Sequence, residues 1–294
     1  MTATPGASSA LTDPAFAEVM AAGGVVVEVA PARPHVAIVS LARPGMRNAQ
    51  SPATWRALAP IGEVLLDPDP DPEPGPEAGA GSVRAVLVRG EGPSFSAGLD
   101  RRLFTAEGVD GQPGIPSLAA LSPDDADARL ADYQAGFAWL RDPRLVSVAA
   151  VAGHALGAGF QLALACDLRV VAPDASFGML ETALGLVPDL GGTLPLVQAV
   201  GRARAVELCL SGRRVGADEA LAIGLAQERA DTADGVDAAG LALLDRLLAG
   251  PAGAVRETLA LLDAAADGPD AGDQLAAERA AQLRRIRAMV AGEG

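Results

Sequence analysis

The 294-residue sequence contains no lysine; all 23 basic residues are arginine. A Walker-type phosphate loop is therefore excluded, because its lysine must reach the terminal phosphates. Any anionic ligand must be held by arginine forks and backbone N–H groups. The formal charge of −14 and isoelectric point near 4.5 argue against a nucleic-acid partner, since binding phosphates takes a basic face. Only two cysteines are present, Cys166 and Cys209. Their spacing suits neither a disulfide framework nor a metal knuckle, and they are expected to be buried thiols in a reducing compartment. The two histidines, His35 and His154, give no usable metal-ligand spacing. There is no G-x-S-x-G elbow for a serine hydrolase; Ser94 and Ser96 flank Phe95 without its glycine frame. The glycines of "GHALGAG" (153–159) are wrongly spaced for a dinucleotide fingerprint. No apolar run approaches the roughly 20 residues of a membrane helix. The start, "MTATPGASSALTDPAF", lacks the basic-then-apolar layout of a secretory leader. A soluble cytoplasmic protein, without membrane or metal, is expected.

What the sequence does have is apolar content: half of its residues, ample for a large core. Residues 1–22 read as a loose extension. "VVVEVA" (25–30) and "HVAIVSL" (35–41) read as a strand pair. "SPATWRALAPIGEVLL" (51–66) reads as a helix with Ser51 as N-cap and Pro52 at its first position. "DPDPDPEPGPEAGAGS" (67–82) alternates proline with acids and glycine and reads as an extended acidic loop. Then follow a buried strand (83–90), a Gly/Pro-rich loop (105–123), a helix (122–142), a strand (145–153), a short helix (159–167) and a strand (168–173). Such alternation means an α/β sheet with crossovers. From Leu194 onward nearly everything reads as helix: 194–200, 202–211, 216–224, 235–249, 251–265 and 272–291. The expected plan is an α/β core over 23–200 and a helical part over 201–294.

Four stretches carry candidate chemistry: "RPGMRNAQS" (43–51), "GPSFSAGLD" (92–100), "VAGHALGAGFQLALACD" (151–167) and "SFGMLETALGLVPDLGGT" (176–193). Glycine inside an element costs roughly 0.5–1 kcal/mol relative to alanine, so Gly157-Ala158-Gly159 implies a need for bare backbone. Two strand-to-helix turns of small residues can aim backbone N–H groups at one point, an oxyanion hole, and a helix starting there adds its positive end. Taken singly, Glu181 fits a cap or a surface position, Asp189 fits a turn, and Gln161 fits a local hydrogen bond.

In order and spacing, "RNAQS", "FSAGLD", "AGHALGAGFQLALACDLRVVAPDASFG", "LGLVPDLGGT" and "LSGRRVGADEALAIGLA" resemble the enoyl-CoA hydratase/isomerase (crotonase) superfamily over about residues 25–290. The resemblance implies an α/β fold, a spiral of stacked ββα units followed by a helical C-terminal region that forms trimers or dimers of trimers. It implies an acyl-CoA thioester substrate, with coenzyme A belonging to the substrate and no separate cofactor. It implies a thioester enolate held by two peptide N–H groups, which by motif position would be Ala97 and Ala158. Ala97, Gly98, Leu99, Asp100, Gly157, Ala158 and Arg47 would line the thioester site; Arg47, Arg101 and Arg102 lie near the motifs that approach CoA. Hydratases of the family hold water between two glutamates. Glu181 stands at the second of these positions, but Gln161 replaces the first, and an amide holds water without exchanging protons. Asp189 stands where hydratases have glycine and resembles the carboxylate of the family's double-bond isomerases. Isomerisation of an enoyl- or dienoyl-CoA by Glu181 and Asp189 is the expected activity. Hydration of a trans-2-enoyl-CoA and acyl-CoA binding without turnover are the alternatives.

Overall fold

In the computed structural model the described residues are 11–66, 83–109, 111–266 and 268–292; the acidic loop expected over 67–82 and residues 1–10 lie outside them. Beginning at Pro14, where a loose extension was expected, the chain forms helix α1 (Pro14–Gly23), capped by Asp13, whose side chain accepts the Ala15 N–H at 2.7 Å. Gly24 closes the helix in the left-handed region at φ 64°. This segment is anchored because Gly23 lets α1 lie directly on α2 (Pro52–Leu65): a Cβ at Gly23 would sit 2.4 Å from that of Ala57.

Strand β1 (Val25–Val29) pairs antiparallel with β2 (Val36–Leu41). From β2 the sheet runs parallel through β3 (Ala85–Gly90), β4 (Val146–Val151), β6 (Leu168–Val171) and β9 (Glu228–Arg229). The residues of β2 and β4 are buried throughout, as parallel strands covered on both faces must be. On one face, α2, α3 (Pro123–Ala138) and α4 (Ala158–Ala165) enclose the larger core with Trp55, Phe137, Leu140 and Leu164. Helix α7 (Val236–Leu247) covers the other, its Val236 and Leu244 packing with Ile38, Leu87 and Val148.

A second sheet is built from strands too short to read in advance: β5 (His154–Leu156), β7 (Ser176–Gly178) and β8 (Val215–Gly216). Ser96 extends it through a parallel bridge to Ala155. Two successive spiral turns give one strand to the large sheet, a short strand to the small one, and then a helix. β4, β5 and α4 form one such unit. The next is β6, β7 and α5 (Thr193–Ser211).

Helix α5 is interrupted at Gly201 (φ 77°, ψ 155°), which separates the two helical stretches anticipated at 194–200 and 202–211. The large sheet then takes its last strand, β9, from the C-terminal part, after α6 (Ala217–Ala222). Arg169 ties these regions together: it is 3% exposed and donates to the carbonyls of Ala163 (3.2 Å), Cys166 (2.9 Å) and Leu225 (2.5 Å). Helices α8 (Ala252–Ala266) and α9 (Ala271–Ala291) complete the chain. In the 105–123 stretch, a 3-10 turn forms at Ile115–Ala120, and the Gln112 side chain accepts the Ala53 N–H at the start of α2 (2.8 Å).

Candidate active site

The small residues after β4 have a geometric cause. Gly157 precedes α4 at φ 49° and ψ −120°, a conformation for glycine. A Cβ there would also stand 3.4 Å from Glu181 Oε1. Gly159 allows α4 to meet the segment after β3: its Cβ would fall 2.6 Å from that of Ser96. Gly98, at φ 84°, crosses the same point from the other side, where a Cβ would lie 2.4 Å from the Leu156 carbonyl oxygen and 3.5 Å from the Ala158 nitrogen.

Hydrogen bonds fix this crossing. Ser96 N–H donates to the His154 carbonyl (2.7 Å), and Leu156 N–H donates back to that of Ser96 (3.0 Å). The "RNAQS" turn holds the other edge. Gln50 N–H donates to Gly98 (2.8 Å), Asp100 N–H donates to Gln50 (2.8 Å), and Ala97 N–H donates to Arg47 (2.8 Å). The Ala97 N–H is therefore already engaged, which corrects its expected role as an oxyanion donor. Leu99 and Ala158 are the neighbouring positions whose N–H groups meet no acceptor among the described residues. Motif position alone missed this by two residues; Gln50 and Gly98 bonding on either side of Leu99 decides it.

Arg47 and Asp100 also hold the loop in place. Arg47 is exposed and left-handed at φ 51°, and its backbone carbonyl is what receives Ala97. Asp100 is 3% exposed and turned toward cations: Arg102 Nη2 donates to it at 2.7 Å, and Arg43 Nη2 lies 3.7 Å away. The hydrogen bond from Arg102 holds its carboxyl below the usual carboxylate range. Asp100 thus locks the loop. Beside it lies a cavity of about 540 Å³ lined by Ala21, Gly24, Arg43, Ser51 and Gln112. Arg101 is exposed.

Gln161, Glu181 and Asp189 come together. Gln161, on the first turn of α4, is 1% exposed, and Glu181 is 8% exposed. Gln161 Nε2 donates to Glu181 Oε1 at 2.7 Å, while its Oε1 accepts the N–H groups of Leu190 (2.9 Å) and Gly192 (3.3 Å). Glu181 Oε2 is buried and unpartnered among the described residues. Burial pushes the Glu181 carboxyl above its ordinary range, and the charge of Asp189 adds to this. Asp189, half-buried, is likewise pushed up by burial. Its backbone carbonyl accepts Gln134 Nε2 from α3 at 2.7 Å. Cys209 of α5 faces this group unforeseen; burial and then the Glu181 charge push its thiol up. Between the two acids, Leu184, Leu186 and Val187 are exposed, at 58%, 39% and 71%. Among the described residues, no cluster of three or more His, Cys, Asp or Glu side chains suits a metal ion.

These features place two backbone N–H groups without acceptors among the described residues at the crossing of the turns of an α/β spiral, with Glu181 against the adjoining Gly157. The enoyl-CoA hydratase/isomerase family model matches residues 33–288, so the chain belongs to that family, and its fold is the expected spiral of ββα units with a helical C-terminal region. A protein of Thermobifida fusca YX, solved in complex with acetoacetyl-CoA, is 45% identical, with a TM-score of 0.80 covering 92% of this chain and 98% of that one. An enoyl-CoA hydratase of Polaromonas sp. JS666 is 28% identical, with a TM-score of 0.74 covering 92% and 95%. The probable enoyl-CoA hydratase echA8 of Mycobacterium leprae is 35% identical over 192 residues, 65% of this chain; the chain spans 63% of that relative's length.

Proposed function

We propose that this chain acts on acyl-CoA thioesters and moves a carbon–carbon double bond in an enoyl- or dienoyl-CoA. A carboxylate takes a proton from the carbon between thioester and double bond. The electron pair moves onto the thioester oxygen, which the Leu99 and Ala158 N–H groups stabilise. A protonated carboxyl returns a proton at the far end of the conjugated system, and the mass is unchanged. One observation carries the proposal: two carboxyls with raised proton affinity, Glu181 and Asp189, share the site with Gln161, whose amide cannot exchange a proton at neutral pH. A raised carboxyl suits proton transfer near neutrality. The exposed Leu184, Leu186 and Val187 support an apolar acyl group. The complex of the Thermobifida fusca relative with acetoacetyl-CoA supports the thioester.

The names of the relatives favour a second reading, hydration of a trans-2-enoyl-CoA with Glu181 as the acid/base. Purified protein given a 3-enoyl-CoA and a trans-2-enoyl-CoA in parallel separates the two. Isomerisation converts the first without added mass; hydration adds one water to the second. Asp189→Asn abolishes the first activity and spares the second. Binding of both thioesters with no turnover of either would overturn both readings in favour of a non-catalytic acyl-CoA module. A homotrimer or dimer of trimers in the cytoplasm belongs to the same proposal, supported by exposed apolar side chains on α9 such as Leu283, Met289 and Val290.

A further inference from the structure

Both ends of the Gln161 side chain are committed. Its Oε1 receives two backbone donors, Leu190 N–H at 2.9 Å and Gly192 N–H at 3.3 Å. Reversing the amide would set its NH2 against those two N–H groups, so its orientation is imposed rather than arbitrary. Nε2 must then face Glu181 Oε1, 2.7 Å away. The fit leaves little freedom, since a Cβ at Gly192 would lie 2.7 Å from Gln161 Cγ. One oxygen of Glu181 is thus clamped, and the other, Oε2, is buried with no partner among the described residues.

We infer that Gln161 is a positioning residue: it ties Glu181 Oε1 to the Asp189–Gly192 loop and so makes the two oxygens of Glu181 inequivalent, so that Oε2 alone gives and takes the proton. The inference rests on the reading of Glu181 as an acid–base group of this site. The titratable groups facing Glu181 are Asp189 from that loop and Cys209 from α5. No arginine forms an ion pair with Glu181 among the described residues. Among the described residues the Gln161 N–H is consequently the one side-chain donor to Glu181.

A glutamate at 161 would accept the same two loop N–H groups but would present an oxygen, not a donor, to Glu181 Oε1. Two carboxyls that close cannot both ionise and must share a proton. Gln161→Glu therefore keeps the loop and alters the titration, whereas Gln161→Leu disturbs both.

Two measurements test this. The first is amide hydrogen exchange at Leu190 and Gly192 in the substrate-free full chain. The second is titration of Glu181, followed by NMR of carboxyl-labelled glutamate, together with the pH profile of kcat/KM on whichever thioester the enzyme turns over. Gln161→Leu should speed exchange at both amides about tenfold, as expected for the loss of a buried hydrogen bond, and should move the Glu181 titration upward. Gln161→Glu should leave exchange within about twofold of wild type and replace the single Glu181 titration by a coupled pair with a displaced pH profile. Unaltered Glu181 titration in Gln161→Glu overturns the inference, as does unaltered exchange in Gln161→Leu. Should the leucine variant fail to fold, the glutamate variant decides alone. The titration needs no turnover. A protein that titrates as expected yet isomerises nothing would overturn the proposed reaction and leave the Gln161 role standing.

Discussion

Gly98→Ala tests whether the crossing of the two turns creates the site. The added methyl would meet the Leu156 carbonyl oxygen at 2.4 Å, and its carbon at 3.2 Å. An ordinary contact begins near 3.4 Å, so the two segments must separate by about 1 Å unless the backbone turns. Turning is also opposed, because φ is 84° and left-handed backbone costs a non-glycine residue about 1–2 kcal/mol. The obstacle is main chain and cannot swing aside like a flexible side chain. Leu99 and Ala158 flank the contact, so the same displacement separates their N–H groups. Misplacement by about 1 Å can cost 10²-fold, and loss of one oxyanion donor costs about 10²–10³ in kcat. The expected result is a folded variant with kcat down by about 10²–10³ and KM changed far less. Steady-state kinetics measure it, with urea unfolding as the fold control. Gly201→Ala is the companion variant: it has a similar φ of 77°, no atom within 4 Å of the added methyl, and a position in the kink of α5. With ψ at 155° this is backbone open essentially to glycine alone, so the variant should lose about 1–3 kcal/mol of stability and keep its kcat. A folded Gly98→Ala enzyme with kcat within threefold of wild type would refute the reasoning.

Other predictions concern what holds the site in place. Burial pushes the Asp167 carboxyl from 3.8 up to about 6. Its stabilising contribution is thus complete below about pH 4, where folded and unfolded states are both protonated, and is lost as pH rises through 6. Relative to Asp167→Asn, wild type should lose about 2–3 kcal/mol between pH 4 and pH 7; an unchanged difference in urea midpoints would contradict this. Phe160 and Phe177 are 1% and 0% exposed with ring centroids 5.2 Å apart, so Phe160→Ala should cost about 3–5 kcal/mol, read by denaturant unfolding. Ser51 caps α2 in a reciprocal capping box with Thr54; Ser51→Ala should cost about 1 kcal/mol and lower the melting temperature without altering KM.

The long elements were legible because their patterns are long. The mainly apolar runs of β2, β3 and β4 and the capped start of α2 were read nearly to the residue. Strands of two or three residues, such as β7 and β8, are too short to show a period. Their pairing depends on partners far away in sequence. The same limit explains the displaced oxyanion donor. Motif spacing brought "FSAGLD" to the site, but whether Ala97 or Leu99 has a spare N–H depends on the Arg47 and Gln50 carbonyls some fifty residues earlier. Helix α1 was hidden by its small alanine-rich surface, which becomes adhesive only against the Gly23–Ala57 contact. Gln161 was read as a holder of water. Its bonds to Leu190 and Gly192 are long-range and left no trace in the local pattern.

The order of strands in space follows their order along the chain in both sheets: β1, β2, β3, β4, β6, β9 in one and β5, β7, β8 in the other. No strand has to be threaded between two that are already paired. As a chain leaves the ribosome from its N-terminus, each sheet can grow from a single open edge. By the time Val151 has emerged, four neighbouring strands of the large sheet are available to pair. Assembly in this topology is a matter of winding rather than insertion, and the carboxyls of Glu181 and Asp189 arrive after the glycine turns that will receive them.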